Sequence, residues 1–141
     1  MSNDMVLIWL VRFCPDLHQE MGNKLFISIV EIDLPEDIIH DALEEGFLVS
    51  GRRYVDVPGL LRKYYLLKDD AVTGGIFVWK SYKYALAGHA DPEWKKLIWD
   101  KYRTQPKISY FNVPVVVDNA LETVCRGSDY IEALEQRRVQ K

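Results

Sequence analysis

The stretch GLLRKYYLLKDDAVTGGIFVWK, residues 59–80, reads as two strands joined by a connection of hairpin type. Gly59 to Leu67 is the first strand, Lys68 to Gly75 the connection, and Ile76 to Lys80 the second strand. On the second strand Phe77 and Trp79 share one face, and Ile76 and Val78 share the other. On the first, Arg62 and Lys63 alternate, so one of them points to a covered face unless the strand lies at an edge.

Upstream of this pair, Leu25 to Ile32 is a strand with Ile27 and Ile29 on one face and Phe26, Val30 and Ile32 on the other. Both faces are apolar, which predicts cover on both sides. Asp33-Leu34-Pro35-Glu36-Asp37 then starts a helix, with acids near the positive end of its dipole. Ile38, Ile39, Ala42, Leu43 and Phe47 form its apolar stripe, Asp41, Glu44 and Glu45 face out, and Gly51 and Pro58 bracket its exit.

Downstream, Ser81 caps a short helix holding Tyr84, Ala85 and Leu86. Asp91-Pro92-Glu93 opens another, with Asp91 as the cap, Pro92 at the first helical position and Glu93 on the dipole. Its stripe is Trp94, Leu97, Ile98 and Tyr102, and Pro106 ends the region. Ile108 to Val117 is a last strand, in which Pro114 argues for an edge or a bulge. A short helix follows from Ser128 to Arg138.

The order between residues 25 and 117 is thus strand, helix, strand, strand, helix, strand. This is the α+β, ferredoxin-like βαββαβ arrangement, whose antiparallel sheet carries helices on one face. The other face needs cover, and a second copy of the chain would supply it, forming a dimeric α/β barrel.

The totals agree with one domain: 141 residues, 48% hydrophobic and 28% charged, with a net charge of -3. That charge gives no footprint for nucleic acid, and the cluster Arg137-Arg138 reads as a solvated tail. Cys14 and Cys125 match no metal-ligand spacing and read as two buried thiols. The apolar run Met5 to Val11 is too short to cross a membrane and follows Asp4 rather than a basic segment. Val6 to Phe13 reads instead as folded structure, a strand before a polar loop, and a cytoplasmic location is expected.

Four stretches carry a resemblance to a known family. They are Val57-Pro58-Gly59-Leu60-Leu61-Arg62-Lys63-Tyr64, Gly74-Gly75-Ile76-Phe77-Val78-Trp79-Lys80-Ser81, His89-Ala90-Asp91-Pro92-Glu93-Trp94, and Phe111-Asn112-Val113-Pro114-Val115-Val116-Val117-Asp118-Asn119. Together they resemble the YdhR-like monooxygenases, within the antibiotic-biosynthesis-monooxygenase group of dimeric α/β barrels. The resemblance covers roughly residues 25 to 119 of a single domain spanning 1–141. It implies a homodimer and a range of chemistries: cofactor-free oxygenation of phenols, haem degradation, polyketide cyclisation and isomerisation. The stretches 1–24 and 120–141 depart from the compact family pattern.

There is no phosphate-binding glycine loop, dinucleotide fingerprint, zinc-like cluster or Gly-x-Ser-x-Gly elbow. No cofactor and no metal are therefore expected, and chemistry would fall to pocket side chains. His89 is the first candidate, as a base for a phenolic or enolic proton, against a plain loop-capping histidine. Lys63 and Tyr65 are candidates for holding charge on a substrate oxygen, and for Lys63 the plainer reading is an interface salt bridge. Trp79, Phe77, Trp94 and Tyr110 are an aromatic set able to sandwich a flat substrate, or simply core. Asn112 offers an amide to a substrate carbonyl, and His40 sits at the boundary of its helix's apolar stripe.

The function expected is a cofactor-independent monooxygenase acting on an aromatic or polyketide-derived compound of secondary metabolism. The alternatives are a cyclase, isomerase or dehydratase using the same pocket, or a non-catalytic homodimer that binds an apolar metabolite. Neither nucleic acid nor membrane is expected as a partner.

Overall fold

The β-branched and aromatic residues of Phe26–Asp33 form strand β1, the centre of the architecture in this computed structural model, which describes residues 24–38, 40–69 and 71–139. The expected strand between Val6 and Phe13 lies outside the described residues. After β1 come α1 (Leu43–Gly51), β2 (Leu60–Lys68), β3 (Val72–Trp79), α2 (Tyr82–Ala90), α3 (Pro92–Tyr102), β4 (Lys107–Asn112), β5 (Val115–Asp118), β6 (Thr123–Arg126) and α4 (Gly127–Val139). The four-stranded sheet has the order β2-β3-β1-β4 with every pairing antiparallel. That is the ferredoxin-like order predicted above, and β5 and β6 make a separate two-stranded sheet.

Period-two alternation sorts the sheet into two faces. Ser28, Val30 and Ile32 share the first face with Phe77 and Trp79 and are buried under α2 and α3 through Ala85, Trp94, Ile98 and Tyr102. Both helix starts follow the predicted chemistry. Ser81 Oγ accepts from Tyr84 N–H, and Asp91 Oδ1 accepts from Glu93 N–H with Pro92 in the first turn. α3 stops at Arg103, which turns left-handed at φ 55° and donates its N–H to the Trp99 carbonyl.

Several expectations change. The helix expected from Asp33 begins later: Asp33 ends β1, a short 3-10 turn spans His40–Ala42, and α1 starts at Leu43. Pro35, which cannot donate to a helix ladder, instead begins a turn whose Ile38 N–H donates to its carbonyl. The glycines Gly74 and Gly75 lie inside β3, not in the connection, which is only a tight turn closed by Ala71 N–H to Lys68 O. At Gly74, with φ 146°, a Cβ would collide with the Val30 carbonyl, so the glycine records a close strand approach rather than a turn.

The predicted strand Ile108–Val117 divides at Val113-Pro114, where Pro114 has no N–H to give a ladder. Its second half pairs instead with Thr123–Arg126, a strand the pattern did not signal. The second face is also not wholly open. Tyr130 and Ile131 of α4 bury Leu25 and Val78 there, so the chain's own C-terminal helix covers part of what was assigned to a second copy. Arg137 is exposed but belongs to α4 rather than to a loose tail. Cys125 is a free, half-buried thiol, and Cys14 lies outside the described residues. Among the described residues no helix is long and apolar enough to cross a membrane.

Candidate functional site

The first face of the sheet and the helices above it enclose two cavities. The larger, about 500 Å³, is lined by Arg53, Tyr54, Phe77, Trp79, His89 and Trp94 among others. The smaller, about 70 Å³, is lined by Ser50, Tyr54, Lys63, Tyr65, Phe77, Trp94, Lys101 and Tyr102. Tyr54, Phe77 and Trp94 line both, and Trp94 Nε1–H donates to the Tyr54 hydroxyl at 3.1 Å. The larger volume falls in the range of small-molecule sites, about 300–1,000 Å³.

His89, in the last turn of α2, is buried at 4% exposure, so the reading of it as a loop-capping surface histidine is overturned. Its ring meets Phe77, Trp79 and Trp94 at centroid distances of 4.8, 5.6 and 4.6 Å, and Tyr110 at 6.1 Å. Gly88 makes the helix's approach possible, because a Cβ there would collide with the Trp79 ring. Burial, with a smaller contribution from the Lys63 charge, pulls the His89 pKa from 6.5 to about 4, so the ring is neutral at pH 7.

Hydrogen bonding favours one tautomer of this ring. Ser28 Oγ accepts from Trp79 Nε1–H at 2.9 Å and lies 2.7 Å from His89 Nε2. Ser28 is fully buried, and no other acceptor for its hydroxyl proton is found among the described residues. If Ser28 donates to Nε2, the protons of Trp79 Nε1 and Ser28 Oγ are both used and only Nδ1–H lacks a partner. The other tautomer would strand the Ser28 proton as well, at a cost of about 1–3 kcal/mol. This pairing favours the tautomer with the proton on Nδ1, a buried nitrogen with no partner among the described residues.

Lys63 settles the alternation on β2. Its neighbour Arg62 is exposed on the second face, while Lys63 turns under the helices. A register shift between Leu60 and Arg62 sets this phase. No carboxylate meets Lys63 among the described residues, so it makes no salt bridge there. Nζ stands 3.4 Å from the centre of the Tyr54 ring, 3.7 Å from that of Tyr65 and 4.9 Å from that of Phe77. Burial, then the charges of Lys101 and Arg53, lower its pKa from 10.5 to about 7. The Tyr65 hydroxyl shares a proton with Ser50 Oγ at 2.7 Å, and burial raises the pKa of Tyr54 and Tyr65 and lifts Tyr102 to about 12.

The structure thus brings His89, Lys63, Tyr65, Phe77, Trp79 and Trp94 together, though Lys63 and Tyr65 line the small cavity and His89 and Trp79 the large one. Tyr110 is half-buried at the margin, against Tyr82 and His89. Asn112 is exposed at the end of β4, paired with Phe26. The backbone of His40 opens the 3-10 turn before α1, and its side chain lies outside the described residues. Ser28 and Tyr54 were not anticipated. Ser28 had a signal, as the one polar residue among Phe26, Val30 and Ile32 on the inward face of β1. Tyr54 had none, since a short turn after a helix leaves no periodic trace.

No family model and no curated protein matches this chain. Solved structures do. A monooxygenase from the gene ActVA-Orf6 of Streptomyces coelicolor, in complex with the ligand nanaomycin D, is 17% identical with a TM-score of 0.53, covering 68% of this chain and 93% of that one. SnoaB, a cofactor-independent oxygenase from Streptomyces nogalater, is 14% identical with a TM-score of 0.47, covering 63% of this chain and 90% of that one. At such identities the likeness to the first is one of fold: this chain has the ferredoxin-like architecture of that monooxygenase.

Proposed function

We propose that this protein is a cofactor-independent oxygenase acting on a flat aromatic phenol or enol, of the kind polyketide assembly produces. One observation carries the reading. A cavity of about 500 Å³ is lined by Phe77, Trp79 and Trp94, and the buried Nδ1 of the His89 ring that lines it has no hydrogen-bond partner among the described residues. Stacked and edge-on rings hold planar ligands, and an unpartnered buried donor calls for an acceptor such as a substrate carbonyl or phenol oxygen. The shared fold with a monooxygenase crystallised with nanaomycin D supports the same substrate class.

In this reading His89 is a neutral hydrogen-bond donor rather than a base, because an imidazole with a pKa of about 4 takes up a phenolic proton poorly. It holds the substrate oxygen and stabilises negative charge as the acidic phenolic or enolic proton passes to solvent water at the pocket mouth and the enolate forms. The electron-rich carbon of the enolate then bonds to one atom of molecular oxygen. Loss of the other atom as water turns a ring CH₂ into a carbonyl, with the substrate supplying all the electrons.

The reading extends to a homodimer. Tyr64 and Phe111, exposed at 51% and 53% on the second face, and Val115, Val117 and Val124 of the β5–β6 sheet offer apolar surface for a second copy.

Oxygen uptake with a panel of anthrone-type phenols tests the function. Uptake by the wild type that falls at least tenfold in His89→Ala, with folding checked by circular dichroism, supports it. Conversion of the same compounds without uptake would move the assignment to a cyclase or isomerase using the same pocket. A panel that raises Tm without being converted would leave a binding protein.

A further inference from the structure

The Lys63 compartment is not used by the mechanism above, yet it has the construction of a reactive site. Nζ is enclosed by the faces of Tyr54 and Tyr65 and by Phe77, with no carboxylate to pair it among the described residues. Other lysines, such as Lys95 and Lys96 on α3, are exposed. The cavity in front of Lys63, about 70 Å³, holds a few small atoms, given that one water needs about 10–15 Å³. Gly75 helps open it, since a Cβ there would stand 3.3 Å from Lys63 Cε. Tyr54, Phe77 and Trp94 also border the larger cavity, so the compartment is an annex to it.

An enclosed amine without a counter-ion holds its proton less firmly than an exposed one. Two conditions that turn lysine into a nucleophile are an apolar surround and a second cation nearby. Both are present here: the rings enclose Nζ, and Lys101 on α3 and Arg53 in the turn after α1 act on it. The other titratable groups facing it are Tyr54 from that same turn, Tyr65 on β2, Tyr102 on α3 and, across Phe77, His89 on α2. Burial raises the three tyrosines, which stay protonated as donors, and lowers His89, which stays neutral.

We infer that Lys63 is an imine-forming amine for the carbonyl end of a substrate that reaches from the larger cavity into the annex. The amine lone pair attacks the carbonyl carbon and the carbonyl π pair moves to oxygen. A proton passes from nitrogen to that oxygen, and loss of water leaves a C=N bond, with nothing oxidised or reduced. Tyr65, hydrogen-bonded to Ser50, lines the same annex and offers a hydroxyl for the proton transfer. Imine formation consumes no oxygen, so this inference does not rest on the oxygenase reading and is tested under nitrogen.

The experiment treats the full-length protein at pH 7 with acetaldehyde and sodium cyanoborohydride, which reduces any imine to a stable ethylamine, and follows each lysine by peptide mass spectrometry. Lys63 is expected to be modified at least about tenfold faster than Lys95 and Lys96, because an ordinary lysine is about one part in a thousand neutral at pH 7. Raising the pH from 7 to 9 should accelerate Lys95 and Lys96 strongly and Lys63 by no more than about twofold. A second variant, Lys101→Met, leaves the annex rings in place and removes a neighbouring charge, so Lys63 should slow severalfold at pH 7. Modification of Lys63 no faster than the exposed lysines, or with their pH profile, would overturn the inference, as would indifference to Lys101→Met.

Discussion

The two faces of the main sheet treat their polar groups in opposite ways. Under α2 and α3 the sheet buries Ser28 and His89 and encloses Lys63 among rings. On the other face Arg62 stands exposed, and α4 seals only Leu25, Val78 and their neighbours, leaving Tyr64 and Phe111 in the open. Polar groups on the first face cost folding energy, and the cost is tolerable only because each is held by a specific neighbour or lines a cavity. The second face has apolar exposure without enclosed polar chemistry, as befits a surface for packing. The proposed reactivity draws on the first face and the proposed association on the second.

The sharpest break in that comparison is Trp79→Ala. Trp79 is 1% exposed and its ring contacts His89 and Phe77, so urea unfolding should show a loss of about 3–5 kcal/mol. A loss below about 1 kcal/mol would mean the first face is not the structural core. Next comes acid sensitivity. With the His89 pKa lowered from 6.5 to about 4 by folding, the unfolded chain takes up a proton in that window which the folded chain refuses. Its contribution to stability is complete above pH 6.5 and declines by up to about 3 kcal/mol as pH falls toward 4. Urea midpoints measured across this range should fall less steeply in His89→Phe than in the wild type, and parallel curves would show that His89 is not the buried acid-labile group.

Ser28→Ala is a smaller change at the same place. It strands Trp79 Nε1–H and His89 Nε2, which should lower stability by about 1–3 kcal/mol and alter the near-ultraviolet tryptophan signal. Least of all should be the double change Tyr64→Ser with Phe111→Ser on the second face. Both residues are more than half exposed, so monomer stability should move by about 0.5 kcal/mol or less. Sedimentation should nevertheless show a lower mass than the wild type. An unchanged mass would detach association from this face.

The sequence made some of this legible for local reasons. Capping at Ser81 and Asp91 depends on residues adjacent in the chain, and both helices begin where those caps predict. The alternation of Arg62 and Lys63 put one of them on a covered face unless the strand lay at an edge; β2 is an edge strand, yet Lys63 is half-buried under the helices. The aromatic set was visible as Phe77, Trp79 and Trp94, whose periods place them on facing elements. What went unread involved partners distant in the chain. Ser28 and His89 are 61 residues apart, and Tyr54 and Trp94 are 40 apart. A glycine pair looks the same in a turn as in a strand pressed against a carbonyl.

By itself, then, the amino-acid order determined the strands and helices of the main sheet and their succession, though not the β5–β6 pair, because period and capping are properties of neighbouring residues. It also put one cation, Arg62 or Lys63, under cover unless the strand lay at an edge. Only the tertiary structure decided that this cation is Lys63, that aromatic rings enclose it with no carboxylate among the described residues, and that His89 Nδ1 is buried without a partner among them. Those outcomes depend on which surfaces the sheet order β2-β3-β1-β4 brings face to face. Burial and hydrogen-bond partnership are properties of the assembled fold, and they set protonation and reactivity.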